Sequence, residues 1–120
     1  MKSLNLRAVV LSAVALPLLL TAFDAQAHAH LVRSMPTANS AGPAPRAVHL
    51  DFSERLEPKF SGATIMTGAG RTVVATSRAS AKAVDLTPKG SLVPGPYMVM
   101  WHVLSVDGHR MKGQFSFRVR

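Results

Sequence analysis

Two short segments near opposite ends of the 120-residue chain hold the side chains best suited to metal chemistry. His28 and His30 lie in "AQAHAHLV", and Asp107 and His109 lie in "SVDGHRMKG". Imidazole nitrogens combined with a carboxylate oxygen suit tetragonal copper(II), and zinc would take the same atoms in a tetrahedral arrangement. If the two segments meet in the fold, the pattern predicts a nitrogen-rich metal site.

The residues before His28 have the three parts of a secretory signal peptide. Positive charges near the start are followed by a nearly continuous apolar run over residues 8–20 and by a small-x-small cleavage site, Ala25-Gln26-Ala27. The apolar run is shorter than the roughly 20 residues that a membrane-spanning helix needs. We therefore expect residues 1–27 to be removed on export to the periplasm, leaving one mature domain, residues 28–120.

Cleavage after Ala27 would give His28 a free α-amine beside its imidazole, and these two nitrogens can chelate one ion. The second segment is a weaker signal alone, because Asp-Gly is a common turn dipeptide and a histidine beside it can simply be exposed. Gly108 nevertheless allows a sharp turn that would aim Asp107 and His109 at one place. Taken together, His28, Asp107 and His109 are the predicted ligands.

His30 offers an alternative arrangement. It would stand third in the mature chain, and an amine followed by a third-position histidine can bind copper(II) through two deprotonated backbone amides. That arrangement would leave Asp107 and His109 without a role, and the N–H of His30 is expected to be needed in a strand. We favour the His28 arrangement, with His30 nearby, and expect structural roles for His49 and His102.

Composition excludes several classes of function. The chain has a formal net charge of +8 and no cysteine. Without cysteine it has no disulfide, no thiolate metal site and no blue-copper centre. Its basic residues are scattered and match no nucleic-acid-binding motif, so we expect no nucleic-acid partner. We expect a monomer.

Short alternating strands separated by turn residues recur every 10 to 15 residues, and helix signals are nearly absent. The pattern predicts an all-β fold, an antiparallel sandwich or barrel of immunoglobulin-like type. We favour the Greek-key β-sandwich, with about seven strands. The predicted segments are residues 30–35, "RAVHLDFS", "ATIMT" and "TVVAT" as a hairpin around Gly68-Ala69-Gly70, "KAVDLTP", "YMVMWHVLSV" and "GQFSFRV".

The longest predicted strand is apolar on both faces, which is typical of a central strand. One face holds Tyr97, Val99, Trp101 and Val103. The other face holds Met98, Met100, His102 and Leu104. Methionine sulfurs beside a histidine could suggest a copper(I) site. Methionines in such runs more often fill gaps in a core, and we favour that interpretation here.

Taken together, these segments resemble the bacterial periplasmic copper-binding proteins of the CopC type. The resemblance covers nearly all of residues 28–120 and rests on "HAHLVRSMP", "VHLDFSERLEP" and "GPYMVMWHVLSVDGHRMKGQFSFRV". It implies an immunoglobulin-like sandwich that holds one copper(II) ion through His28, Asp107 and His109. Glu54 matches a glutamate that is sometimes near the metal in the family, which makes it a secondary candidate. His30 is the other secondary candidate, because of its position in the mature chain.

The chain departs from the family at two places. Members that also bind copper(I) have a methionine-rich central loop, whereas this chain has only Met66 there, so we expect a copper(II)-only member. Arg110 stands where members often have proline, and its charge would modestly weaken the binding of a cation.

The resulting functional prediction is a periplasmic copper(II) carrier or buffer that is not an enzyme. The family resemblance suggests a CopD-type copper permease of the inner membrane as its partner. Two alternatives remain at this level. One is a secreted copper enzyme that cleaves polysaccharides through an N-terminal histidine brace, and the other is a metal-free immunoglobulin-like interaction module.

Overall fold

Alternation of apolar and polar residues produces the strands of this protein. In residues 48–52 the side chains of Val48, Leu50 and Phe52 are buried, whereas His49 and Asp51 are half-buried on the opposite face. Side chains of a strand point alternately to its two faces, so this pattern gives the strand one core face and one outer face. The computed structural model describes residues 29–120. The predicted signal peptide and His28 lie outside the described residues.

Two four-stranded sheets pack face to face, with strand order β1-β3-β6-β5 in the first and β2-β8-β7-β4 in the second. Neighbouring strands are antiparallel except for the short β2, which pairs parallel to β8. The predicted all-β immunoglobulin-like sandwich is therefore confirmed. The strands are β1 (Leu31–Met35), β2 (Ala41–Gly42), β3 (Val48–Phe52), β4 (Gly62–Thr67), β5 (Ala75–Ala79), β6 (Ala83–Pro88), β7 (Gly95–Leu104) and β8 (Arg110–Val119).

One 3-10 turn, Pro58–Phe60, is the only helical element in residues 29–120. No helix in that described range is long and apolar enough to cross a membrane.

The predicted hairpin around Gly68-Ala69-Gly70 is only partly right. The chain does turn back there, with Val73 N–H donating to the Ile65 carbonyl at 2.8 Å and a single bridge joining Met66 to Thr72. It then crosses to the first sheet, where β5 pairs with β6 instead of β4. Periodicity identifies the strands, but it does not show which sheet a strand joins.

β7 is an inner strand of the second sheet, as its two apolar faces predict, since β8 and β4 flank it. Tyr97, Val99 and Val103 are buried in the sandwich. Trp101 also faces inward, where its ring meets the ring of Phe52 edge-on at 5.1 Å. Met98 and Met100 instead lie on the outer face and are absent from the core, so the expectation that they fill core gaps is wrong.

Gly113 provides the space that the Trp101 ring occupies. The two residues are cross-strand partners, and a Cβ on Gly113 would lie 2.3 Å from Trp101 Cζ2. We expect Gly113→Ala to lower the free energy of unfolding by about 1–3 kcal/mol, because the ring must leave its place against Phe52. Urea unfolding checks this, with Gly90→Ala as the control because its Cβ would meet nothing within 4 Å. Equal effects of the two substitutions would contradict the prediction.

Candidate metal centre

The turn between β7 and β8 holds two of the three predicted ligands. Its ends are tied by the Ser105 N–H, which donates to the His109 carbonyl at 2.9 Å, and by the Gly108 N–H, which donates to the Ser105 carbonyl at 2.9 Å. Gly108 has a φ of +90°, in the region that favours glycine. The Asp-Gly pair therefore closes the turn and also places the side chains on either side of it.

Asp107 and His109 are in direct contact. His109 Nδ1 lies 2.9 Å from Asp107 Oδ2, and the backbone N–H of His109 donates to Asp107 Oδ1 at 3.1 Å. Side chains this close can reach a common ion. Gly108 thus brings the two side chains together, and their joint binding of one ion stays a prediction.

Ser105 orients Asp107, a role that the sequence analysis did not identify. Its hydroxyl donates to Asp107 Oδ1 and lies 3.2 Å from the His109 carbonyl oxygen, while the residue itself is 1% exposed. The Ser105 hydroxyl, followed by the side chain and N–H of His109, lowers the pKa of Asp107 well below its usual range. The carboxylate is therefore ionised at neutral pH and stays ionised in mildly acidic solution. The sequence signal for this role was the spacing, with Ser105 two residues before Asp107.

The segment after β3 connects this turn to the beginning of the described chain. The Val106 N–H donates to the Arg55 carbonyl at 2.9 Å, and Leu56 forms a bridge with Ser105. Two residues earlier, the Ser53 N–H donates to the His30 carbonyl at 2.9 Å. Residues 53–56 therefore contact both the start of the domain and the turn that holds Asp107. Glu54, half-buried, lies within that stretch.

The N-terminal residues that the structure describes are fixed in place. Ala29 is fully buried in the core, and the His30 N–H donates to the Ser53 hydroxyl at 3.0 Å. The amide-bound copper motif would need the N–H of His30 to be deprotonated and turned toward the metal. That change would break the hydrogen bond to Ser53, which disfavours the amide-bound arrangement.

Within residues 29–120, no three His, Asp or Glu side chains form a group that could hold a metal ion. Asp107 and His109 supply two donors of that kind. His28, the third predicted ligand, lies outside the described residues, directly before the buried Ala29. The complete set is therefore still a prediction.

The other two histidines lie on the outer faces of the sheets. His49 on β3 has a carboxylate on each ring nitrogen, Asp85 at 2.5 Å and Asp51 at 2.8 Å, and these raise its pKa. This contact ties β3 to β6, as expected for a structural histidine. His102 on β7 is exposed, and its ring lies over Gly62, where an added Cβ would be 3.3 Å from His102 Cε1.

Comparison with known proteins identifies the family. The profile of the CopC domain matches residues 31–120. The chain belongs to the CopC domain family. Protein YobA from Escherichia coli (strain K12) is 45% identical over 100 residues, covering 78% of this chain and 80% of YobA. Copper resistance protein C from Pseudomonas syringae pv. tomato is 38% identical over 105 residues, covering 80% of this chain and 83% of the relative.

A solved CopC-family structure has the same fold. PcoC, described as a methionine-rich copper resistance protein from Escherichia coli, superposes with a TM-score of 0.73 at 36% sequence identity. The superposition covers 78% of this chain and 100% of PcoC. The family resemblance predicted from the three sequence motifs is confirmed.

Ser105→Ala tests how the turn controls Asp107. A carboxyl with a lowered pKa adds stability that is present above its ordinary value of about 3.8 and is lost as the pH falls below it. Without the hydroxyl, we expect the pKa of Asp107 in the metal-free protein to rise toward that value. The stability difference between wild type and variant should therefore be larger at pH 7 than at pH 2. Carboxyl NMR titration and urea unfolding measure the two effects.

Ser116→Ala is the matched control, because Ser116 is exposed on β8 and far along that strand from the turn. A stability difference for Ser105→Ala that does not change with pH would mean that the hydroxyl acts by packing alone.

Proposed function

We propose that this CopC-family protein is a periplasmic copper(II)-binding protein that holds one ion per chain through His28, Asp107 and His109. The observation that carries the proposal is the 2.9 Å contact between the His109 ring and the Asp107 carboxylate. It lies in a turn that hydrogen bonds join to the segment beside His30. An imidazole and a carboxylate are donors that copper(II) accepts, and copper(II) heads the affinity order of the divalent ions.

Each proposed ligand contributes differently. Asp107 brings a negative charge at neutral pH, and its lowered pKa preserves that charge in acidic solution. His109 brings an imidazole nitrogen from a turn that is already ordered. His28, once the signal peptide is removed, brings an imidazole and the α-amine. His30 and Glu54 stay as neighbours that shape the site without being required.

We propose that the role is sequestration or carriage of copper in the periplasm, with delivery to a CopD-type permease of the inner membrane. A polysaccharide-cleaving enzyme would be expected to expose aromatic rings to its polymer. Here Tyr97 is buried and stacks on Phe117 at 5.5 Å, and Trp101 packs on Phe52. Among the described residues only the Phe60 ring is mainly exposed. A single exposed ring does not form a polymer-binding surface, so the arrangement favours a carrier over such an enzyme.

Substitution of single histidines tests the ligand set. His109→Ala should weaken copper(II) binding by about 100-fold or more, since losing a ligand costs more than the 10–100-fold typical of losing a ligand's own partner. His30→Ala should cost less than about tenfold, because His30 is only a neighbour of the site. Competition with a copper(II) chelator at pH 7 measures both. A large loss for His30→Ala with a small one for His109→Ala would establish the amide-bound motif instead.

The free α-amine of His28 is tested by adding one residue. A preparation that begins at Ala27 has an amide at that nitrogen, and the amide lone pair is unavailable near neutral pH. We expect the copper(II) affinity of this preparation to fall by orders of magnitude relative to one beginning at His28. Both should have the same metal-free melting temperature, because Ala29 and the residues after it are unchanged. Equal affinities would show that the amine is not a ligand.

A further inference from the structure

The two sheets differ in the charges that their strands carry. The strands of the second sheet, β2, β4, β7 and β8, contain no aspartate or glutamate. In the first sheet, β3 carries Asp51 and β6 carries Asp85. The second sheet has three cations, Arg110, Lys112 and Arg118, and all of them lie on β8. Its strands therefore supply positive charge alone.

The three β8 cations point away from the core, on the outer face of the second sheet. Exposed and covered residues alternate along β8, and Arg110, Lys112 and Arg118 are all exposed. The first and last of them are eight residues apart, a span of about 27 Å at the rise of an antiparallel strand. Within residues 29–120, no carboxylate forms an ion pair with any of the three. Their charge is consequently available to an anionic partner.

Charges on the outer face of the first sheet are instead largely neutralised within the protein. Arg33 contacts Asp51 at 3.1 Å, and the His49 ring contacts Asp51 at 2.8 Å and Asp85 at 2.5 Å. The other cation of this sheet, Arg78 on β5, is the register partner of Asp85. An anionic surface that approaches the protein is therefore attracted more strongly to the second sheet than to the first.

Apolar side chains lie beside the cations on the same outer face. Met98 on β7 is the cross-strand partner of Met66 on β4, and neither belongs to the core. Met100, two residues further along β7, is 40% exposed. Apolar side chains beside cations are the combination by which amphipathic elements bind the interface of anionic bilayers. The outer face of the second sheet has this combination on a β-sheet.

A groove on this face offers a place for a lipid headgroup. Its volume is about 500 Å³, and its lining includes Lys112, His102, Gln114 and Thr64, with Met100 as an apolar neighbour. Ammonium, amide and hydroxyl groups donate hydrogen bonds, and no acidic residue lines the groove. Phosphate oxygens accept such bonds, most strongly from charged donors. The groove therefore fits the phosphate of a phospholipid.

We propose that the outer face of the second sheet docks this protein on an anionic phospholipid bilayer. The cations of β8 contact headgroup phosphates, while Met98 and Met100 contact the boundary of the acyl chains. A bilayer fits better than an acidic protein, because phosphates recur throughout its plane and meet widely spaced cations without a matching sequence.

Docking on this face would place the copper-binding turn at the membrane surface. The turn follows β7 directly and ends at Arg110, the first residue of β8, so it lies at one end of the docked face. The docking needs no bound ion. Its relevance in the cell rests on the proposed periplasmic location.

Co-sedimentation with vesicles tests the proposal, using metal-free protein that begins at His28, because the apolar run of the predicted signal peptide would itself bind lipid. We expect binding to phosphatidylglycerol vesicles and none to vesicles of phosphatidylcholine alone, which have no net charge. Lys112→Gln/Arg118→Gln should lower the partition constant roughly 30-fold, since each cation near an anionic surface contributes about fivefold. Arg33→Gln/Arg78→Gln is the matched control with the same loss of charge. It should stay within about twofold of wild type, because salt screens charges beyond about 10 Å.

Two further conditions separate a bilayer from other anions. Binding should weaken steeply as salt rises from about 0.05 to 0.5 M, because the attraction is electrostatic. Inorganic phosphate at constant ionic strength should not displace the protein, because the bilayer engages several cations at once. Displacement by phosphate would mean that the groove binds the free ion, and it would overturn the proposal.

Equal losses for the two double variants would also overturn the proposal, and so would the absence of binding to phosphatidylglycerol, which would leave an acidic protein as the partner of this face. If a variant fails to fold, spin-labelled phosphatidylglycerol added to wild type decides the matter. Amide NMR signals of β7 and β8 should broaden more than those of β5 and β6, and the reverse order contradicts the docking. Because the vesicle assay contains no copper and the copper(II) titrations contain no lipid, failure of the docking and failure of the copper site are distinguishable.

Discussion

The pairing of β7 with β8 is the constraint on which both the fold and the proposed site depend. Ten consecutive residue pairs join the two strands, from Gly95–Val119 to Leu104–Arg110. Their inner face supplies much of the core, and the Trp101 ring fits there only because its cross-strand partner is Gly113. Their last pair fixes the ends of the Asp107 turn, so the position of the prospective ligands follows directly from the register of the sheet.

The turn itself is organised before any ion binds. Asp107 accepts hydrogen bonds from the Ser105 hydroxyl, from the His109 N–H and from the His109 ring. Since these contacts already order the two side chains, little conformational entropy remains to be lost on binding. The same contacts also stabilise the carboxylate, so that an ion binding here would displace hydrogen-bond donors and not a proton on Asp107.

Much of this fold was predictable, and the parts that were not share a physical cause. Alternation in residues 48–52 and 97–103 identified strands and their inner faces, because burial of one face imposes a period of two. The turn at Gly108 was predictable from local chemistry. The route of β5, the buried Ser105 and the outward face of Met98 were not, because they depend on contacts between segments distant in sequence. Periodicity does not encode which strands become neighbours.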